Sequence, residues 1–549
     1  MNTIAKFFFG MTVLGASPGY AQMPLPQYPS LDAKEIGQVR NILALAEQPG
    51  FDNMHEGPRG AFDQYQFQLA WMYYALAVAQ TQQTPAYRER YKRASDQLIQ
   101  KMMQPNVWNF WLTVVENPKF SKYLDKAKDW RDPVREKNIM YSGHLLQMVG
   151  LYQRLYDDKK YTKMGAIHFT IAGNGGFKHK YSFKSLAENI RQQFIDNDLQ
   201  GVECEPNFVF AECNQHPILG LIDYDKIYGT NLADIRSGFW DQAEKLGFLN
   251  PQTSRFAGPY LKQQKIAGKM AIAWNDGWTG VTLHAWNPQA VRLRYPIQRD
   301  AELPALINQN PNVWTVRWSK ASVSTDFGFL AAYAAELGDT ATVRTLTDYA
   351  DTHFQPVFAD GRYYYPRHDV STEGPAVQIT GQESVGPFSS PPTGPLKPEQ
   401  FNEHLVGPLT GNALLAFARL NSGGGLWNLY NNLEATYQRI DPEVVDIDDL
   451  QVNVVQAYYD RTQKRLAVTM LPGAGRVASL QFGVRNLDRS KAYAIQVDGR
   501  NIGTVTGASV TSLDPEIQLK WGRPGTLTFV MSLGAGRQII VDQADSAIQ

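Results

Sequence analysis

Residues 64–80 read QYQFQLAWMYYALAVAQ, a run without glycine or proline that is apolar over more than half of a helical circumference. A helix at a protein surface shows one apolar stripe, whereas one that is apolar nearly all round must be covered by neighbours on both sides. The pattern repeats outward from this stretch. Residues 139–156 (IMYSGHLLQMVGLYQRLY) carry apolar residues at three- and four-residue intervals. Residues 217–228 open with a proline in a first helical turn and stop at Gly229,. Residues 326–337 (DFGFLAAYAAEL) run into Gly338, and 410–420 (TGNALLAFARL) form the last clear helix,. Buried helices joined by long loops suggest a mainly α fold, an inner ring of helices shielded by an outer ring. Helices 64–80, 139–156 and 326–337 are expected on the inside.

Near residue 440 the texture changes. Short alternating runs at 465–470, 478–484, 492–497, 526–531 and 538–541 are split by Gly, Asn and Asp. Period two with turn residues between predicts strands, and their spacing predicts a small β-sandwich over 441–549, following an α/α barrel over 22–440. The β segment contains no His and no Cys, so a packing or substrate-edge role suits it better than chemistry. Residues 166–172 and 177–183, with Gly-Asn-Gly-Gly between them, predict a hairpin inserted between helices,. The Ser-, Pro-, Thr- and Gly-rich segment 371–400 reads as a lid or rim,. At the N-terminus, Lys6, the apolar run 7–16 and Gly19-Tyr20-Ala21 predict a signal peptide over 1–21 and a secreted or periplasmic protein,. That run of roughly ten residues is too short to span a bilayer, which takes about 20.

Composition narrows the function. With 53 Lys+Arg against 53 Asp+Glu, the chain lacks the basic surface that a nucleic-acid binder needs,. Two cysteines exclude a disulfide scaffold and a four-cysteine zinc site,. Aromatic residues make up 12% of the chain, which suits an enzyme or ligand binder. Two blocks carry candidate chemistry. In 136–144, a helix would set Met140, Tyr141 and His144 on one face, with Gly143 leaving room for something to approach,. In 201–214, Cys204 and Cys213 stand nine positions apart. They read either as a loop-closing disulfide, or as thiols presented to a cavity as acid, base or nucleophile. A metal pair is disfavoured, because no His or third Cys sits at zinc spacing.

Together the two blocks resemble linalool dehydratase-isomerase. The resemblance rests on Asn138-Ile-Met-Tyr-Ser-Gly-His-Leu145, on Cys204-Glu205-Pro206 with Cys213-Asn214, on Tyr224-Asp225 with Gly229-Thr230, and on 327–339, in order over about residues 40–430. It implies an (α/α)6 barrel, a cofactor-independent lyase or isomerase acting on an allylic, terpenoid alcohol, and a ring-like homo-oligomer. By the same resemblance Cys204, Cys213 and His144 are catalytic, Asp52 is a gapped counterpart of a catalytic aspartate, and Met140, Tyr141 and Phe210 line the apolar pocket. The family's catalytic tyrosine falls at Phe67, with Tyr65 two places away. A structural cysteine pair of the family is absent, and the β segment and the 164–183 hairpin are additions. Loss of hydroxide from an allylic alcohol needs a proton for oxygen and a base for an adjacent C–H, with either a cation faced by aromatic rings or a thioether in between. Two alternatives remain at the level of sequence. One is a carbohydrate-active barrel enzyme with aromatic stacking platforms; the other is an exported apolar-ligand binder with the cysteines joined.

Overall fold

The computed structural model describes residues 27–52, 54, 65–173, 176–268, 271–307, 320–366, 406–436, 438–473, 479–507 and 509–544. The expected signal peptide at 1–21 and the segment 371–400 lie outside the described residues. Six helical segments form the interior: α1 (Tyr65–Gln83), α2 (Ile139–Tyr156), α3 (Gln215–Tyr228), α4 (Ala273–His284), α5 (Lys320–Glu336) and α6 (Leu415–Leu420). Every residue of α1 except Tyr65 and Gln82 is buried, as is every residue of α2 except Tyr156. The nearly continuous apolar circumference of these runs is thus matched by contact on all sides. Each helix packs on the next, α1 on α2 through to α5 on α6, and α6 packs back on α1.

A second set of helices covers the first. Glu89–Met102 lies on α1 and α2, Phe183–Asp196 on α2 and α3, Pro288–Ile307 on α4, Thr340–His353 on α5 and α6, and Ala33–Glu47 on α6 and α1. These are amphipathic where the inner ones are not. In Glu89–Met102 the buried stripe runs through Tyr91, Ala94, Ser95, Leu98, Ile99 and Met102. Ala33–Glu47 starts at a reciprocal cap. Asp32 accepts the Glu35 backbone N–H at 2.8 Å, and the Glu35 carboxylate accepts the Asp32 N–H at 2.7 Å,.

Two local features differ from the sequence reading. The room expected beside Gly143 is filled by a neighbouring helix: a Cβ there would stand 2.6 Å from Pro217 Cδ, and one at Gly220 would meet Leu146 Cγ at 2.6 Å. Small residues on both partners let α2 and α3 pack closely, so Gly143 serves helix contact rather than ligand access. The run 410–420 is not one α-helix. Thr410–Leu414 is π-helical, a wide turn that leads into α6,.

The hairpin expected near 164–183 is present as Ile167–Ile171 paired antiparallel with Phe177–Tyr181. Beyond residue 440 the chain forms two antiparallel sheets. One has six strands in the order Ser509–Ser512, Arg500–Thr506, Ala492–Val497, Arg537–Ala544, Arg465–Pro472, Val452–Asp460. The other has four, in the order Gln518–Trp521, Leu527–Met531, Leu480–Arg485, Glu443–Val445. Asp498 and Gly499, both with positive φ, join Ala492–Val497 to Arg500–Thr506 in the tight turn that Asp-Gly favours,. The β part is stitched to the helices by backbone. Ala86 N–H donates to Ala457 O at 2.9 Å, Val444 N–H to Ala86 O at 2.7 Å, and Leu31 N–H to Val455 O at 2.8 Å. Buried Glu443 accepts from both Arg88 and Arg485 across the same contact. Among the described residues no helix is long and apolar enough to cross a membrane.

Candidate active site

The inner helices converge on a cluster of rings. Phe67, Trp71 and Tyr74 occupy positions i, i+4 and i+7 of α1 and therefore share one face,. His144 comes from α2, His216 from α3, Trp278 from α4, Phe329 from α5 and Phe417 from α6. His144 and His216 lie with ring centroids 3.6 Å apart. Trp278 stacks on Phe329 at 4.9 Å and takes the edge of Phe67 at 4.9 Å. Phe67 also meets His144 edge-on at 5.7 Å. Trp71 meets Phe329 and Phe417, each at 5.3 Å. Aromatic faces carry partial negative charge, so this interior favours a cationic species over an anion.

The two histidines are wired differently. The Trp278 indole N–H can only donate, and it donates to His216 Nε2 at 2.5 Å,. The His216 proton therefore sits on Nδ1 and is given to Gln147 Oε1 at 2.7 Å. Gln147 Nε2 donates to the Tyr430 hydroxyl at 3.0 Å, Tyr430 donates to Asp223 Oδ2 at 3.1 Å, and Arg154 donates to Asp223 Oδ1 at 2.8 Å. Both nitrogens of His216 are thus used within the protein. His144 has one spent and one open. Its Nδ1 hydrogen-bonds the Tyr74 hydroxyl at 2.9 Å, and its buried Nε2 has no partner among the described residues. Burial lowers both histidines, His144 to about 3 and His216, with help from His144, well below its ordinary value, so both are neutral,.

Three residues before His216, the cysteine block forms a second buried group. Asn214 clamps it: its side chain accepts the Val202 N–H at 2.8 Å and donates to Val202 O at 3.0 Å and Phe210 O at 2.8 Å. Cys204 and Cys213 are free thiols, both buried, and each bears on the other's titration. Burial pushes the Cys204 thiol well up and the Cys213 thiol to about 11. Glu205 and Glu212 flank them, 3% and 1% exposed, and burial raises each carboxyl to about 8. Among the described residues, none donates a hydrogen bond to Oε2 of Glu205 or to either carboxyl oxygen of Glu212.

The residues singled out by sequence fall into three groups. Phe67, at 9% exposure, touches His144, and Met140 lies buried one turn before it. Cys204, Cys213 and Phe210 lie together in the clamped block. The rest stand apart. Tyr141 gives its hydroxyl to Met102 O at 2.6 Å and packs against Phe110 and Phe169, so it fastens α2 to the helix 89–102. Tyr65 packs on Phe51, and Asp52 is exposed, with its carbonyl accepting from Gln48. Sequence reading missed Tyr74, which supplies a hydroxyl two turns beyond Phe67, and Glu205 and Glu212. The missed signal was the carboxylate beside each cysteine.

Neutral imidazoles on the inner helices, and neutral thiols and carboxylic acids in the adjoining buried loop, are residue types able to exchange protons,. The chain matches the family model of linalool dehydratase/isomerase over residues 66–371, more than half its length, and belongs to that family. Membership carries hydro-lyase and isomerase activity of the dehydratase/isomerase type on a small-molecule substrate. Among the described residues no group of three or more His, Cys, Asp or Glu could hold a metal ion.

Proposed function

We propose that the protein dehydrates or isomerises an allylic terpenoid alcohol without a cofactor, inside an (α/α)6 barrel whose inner ring is α1 to α6 and whose C-terminal β-sandwich begins near residue 441. The closed succession of helix contacts supports the barrel, and two antiparallel sheets sharing a core support the sandwich. The observation that carries the reaction is the pair of free, buried thiols, each next in sequence to a buried carboxyl that has at least one oxygen without a partner among the described residues. A binding scaffold has no use for four costly buried acids in one loop.

In this reading the substrate hydroxyl hydrogen-bonds the open Nε2 of His144, while the rings of Phe67 and Trp278 face the allylic system. The C–O bond breaks as a proton reaches the leaving oxygen. A proton lost from an adjacent carbon then gives the diene, or water returning at the far allylic carbon gives the isomer. Both thiols meet the substrate protonated, because burial leaves few thiolates at neutral pH,.

The test is product analysis by mass after incubating the reduced protein with a panel of allylic alcohols and oligosaccharides. We expect Cys204→Ala and Cys213→Ala each to lower turnover by at least ~100-fold while folding is kept, since removing an acid–base group costs about 10²–10⁴. Full activity of the double variant removes the thiols from the mechanism. Turnover of oligosaccharides alone would replace this reading with a carbohydrate one.

A further inference from the structure

We infer that Glu212 is the catalytic acid of this site: its carboxyl gives the proton to the leaving hydroxyl and recovers one from carbon through the Cys213 thiol. The inference rests on the reaction proposed above and names the group that moves the proton. Three observations carry it. The side chain is 1% exposed, yet neither carboxyl oxygen accepts a hydrogen bond from another of the described residues. Structural carboxylates at similar depth here are saturated: Glu336 takes His284 at 2.8 Å, Asn421 at 2.8 Å and the Leu426 and Trp427 N–H groups at 2.9 Å. Finally, Glu212 adjoins Cys213 in sequence, and its charge is felt by both thiols.

The chemistry selects it over its neighbours. Burial holds both thiols above the ordinary cysteine range and keeps His144 without a proton to give. Glu205, the raised carboxyl beside Cys204, has only Oε2 without a partner among the described residues. The groups whose charges bear on Glu212 are Glu205 and Asp276, both of which favour its protonated form. The cycle balances. The Glu212 proton goes to the hydroxyl oxygen as the C–O bond breaks, releasing water and leaving an allylic cation beside a carboxylate. The cation loses a C–H proton to the Cys213 sulfur while the thiol proton passes to Glu212. Diene, neutral carboxyl and neutral thiol result, with no oxidant or reductant required.

The closing experiment compares an allylic alcohol that the wild type turns over with the chloride of the same skeleton, which ionises without a proton. In Glu212→Gln we expect turnover of the alcohol to fall ~10²–10⁴-fold, and turnover of the chloride, corrected for uncatalysed solvolysis, to stay within ~10-fold. Glu212→Asp should recover part of the alcohol reaction. Infrared difference spectra across pH ~6 to ~10 should show a buried protonated carboxyl in the wild type that Glu212→Gln lacks. Turnover of the alcohol within ~3-fold of wild type, equal loss on both substrates in a folded variant, or absence of that infrared band each overturns the assignment. A wild type that processes no allylic alcohol overturns the reaction first, and this assignment with it.

Discussion

Glu443, at the contact between the helices and the β part, and Glu212, inside the helical part, are each 1% exposed. Glu443 lies between Arg88 and Arg485, whereas neither oxygen of Glu212 accepts a hydrogen bond from another described residue. The same contrast runs through the two interiors. The β core is built from residues such as Phe482, stacked on Phe529 at 4.7 Å, and Val468, Ile495 and Ile539. The helical part buries His144, Cys204, Glu205, Glu212 and Cys213. Paired burial fixes geometry, while unpaired burial costs stability and is retained where a substrate completes it.

The sharpest test of that contrast is a pair of substitutions. Glu443→Ala takes the shared carboxylate from the buried Arg88 and from Arg485 and should cost about 3–5 kcal/mol in urea unfolding,. Glu212→Leu removes an unsatisfied acid and should be neutral or raise stability by up to ~2 kcal/mol while ending turnover. If both destabilise alike, the two carboxyls are not different in kind.

A smaller effect is expected along the histidine relay. Trp278→Phe keeps the stacking surface but leaves His216 Nε2 without a donor, a loss of about 1–3 kcal/mol. Nitrogen chemical shifts of His216 should then show the Nδ1–H form no longer held alone. Tyr430→Phe breaks the relay further out, between Gln147 and Asp223, and should cost about 1 kcal/mol. An unchanged His216 shift in Trp278→Phe would mean that Gln147 alone sets the tautomer.

How far the sequence anticipated this interior depends on range. The inner helices were legible because burial on all sides leaves a local mark, no polar face over 64–80 or 139–156. His144 and the cysteines were singled out by the family resemblance of the two blocks that hold them. Tyr74 was not, since a tyrosine in an apolar helix looks like core until His144 is brought to it across 70 residues. Glu205 and Glu212 were passed over because acidic residues in a loop normally face water. Val452–Asp460 went unread as a strand because Val454 to Ala457 is buried throughout, which erases the alternation that marks a half-buried strand,.

The pH dependence of stability reads the whole interior at once. Glu205 and Glu212 rise from an ordinary 4.5 to about 8 on folding. The native state therefore holds protons that the unfolded chain has lost, and their contribution is present below about 4.5 and lost as pH climbs through about 8. Asp276, raised to about 7 by burial, adds to the same alkaline arm. His144 works in the opposite direction. Its pKa falls from 6.5 to about 3, so the unfolded chain gains a proton first, and stability is lost as pH drops below 6.5,. His216, lowered by burial and by His144, deepens that acid arm. Urea midpoints measured across pH should form a dome with its top between about 4.5 and 6.5, set by the values from which the carboxyls and His144 are displaced. Glu205→Gln with Glu212→Gln should flatten the alkaline side and leave the acid side standing. A wild-type midpoint that is level from the top of the dome up to about 8 would mean that the two carboxyls are not buried as protonated acids, and the contrast with Glu443 would lose its basis.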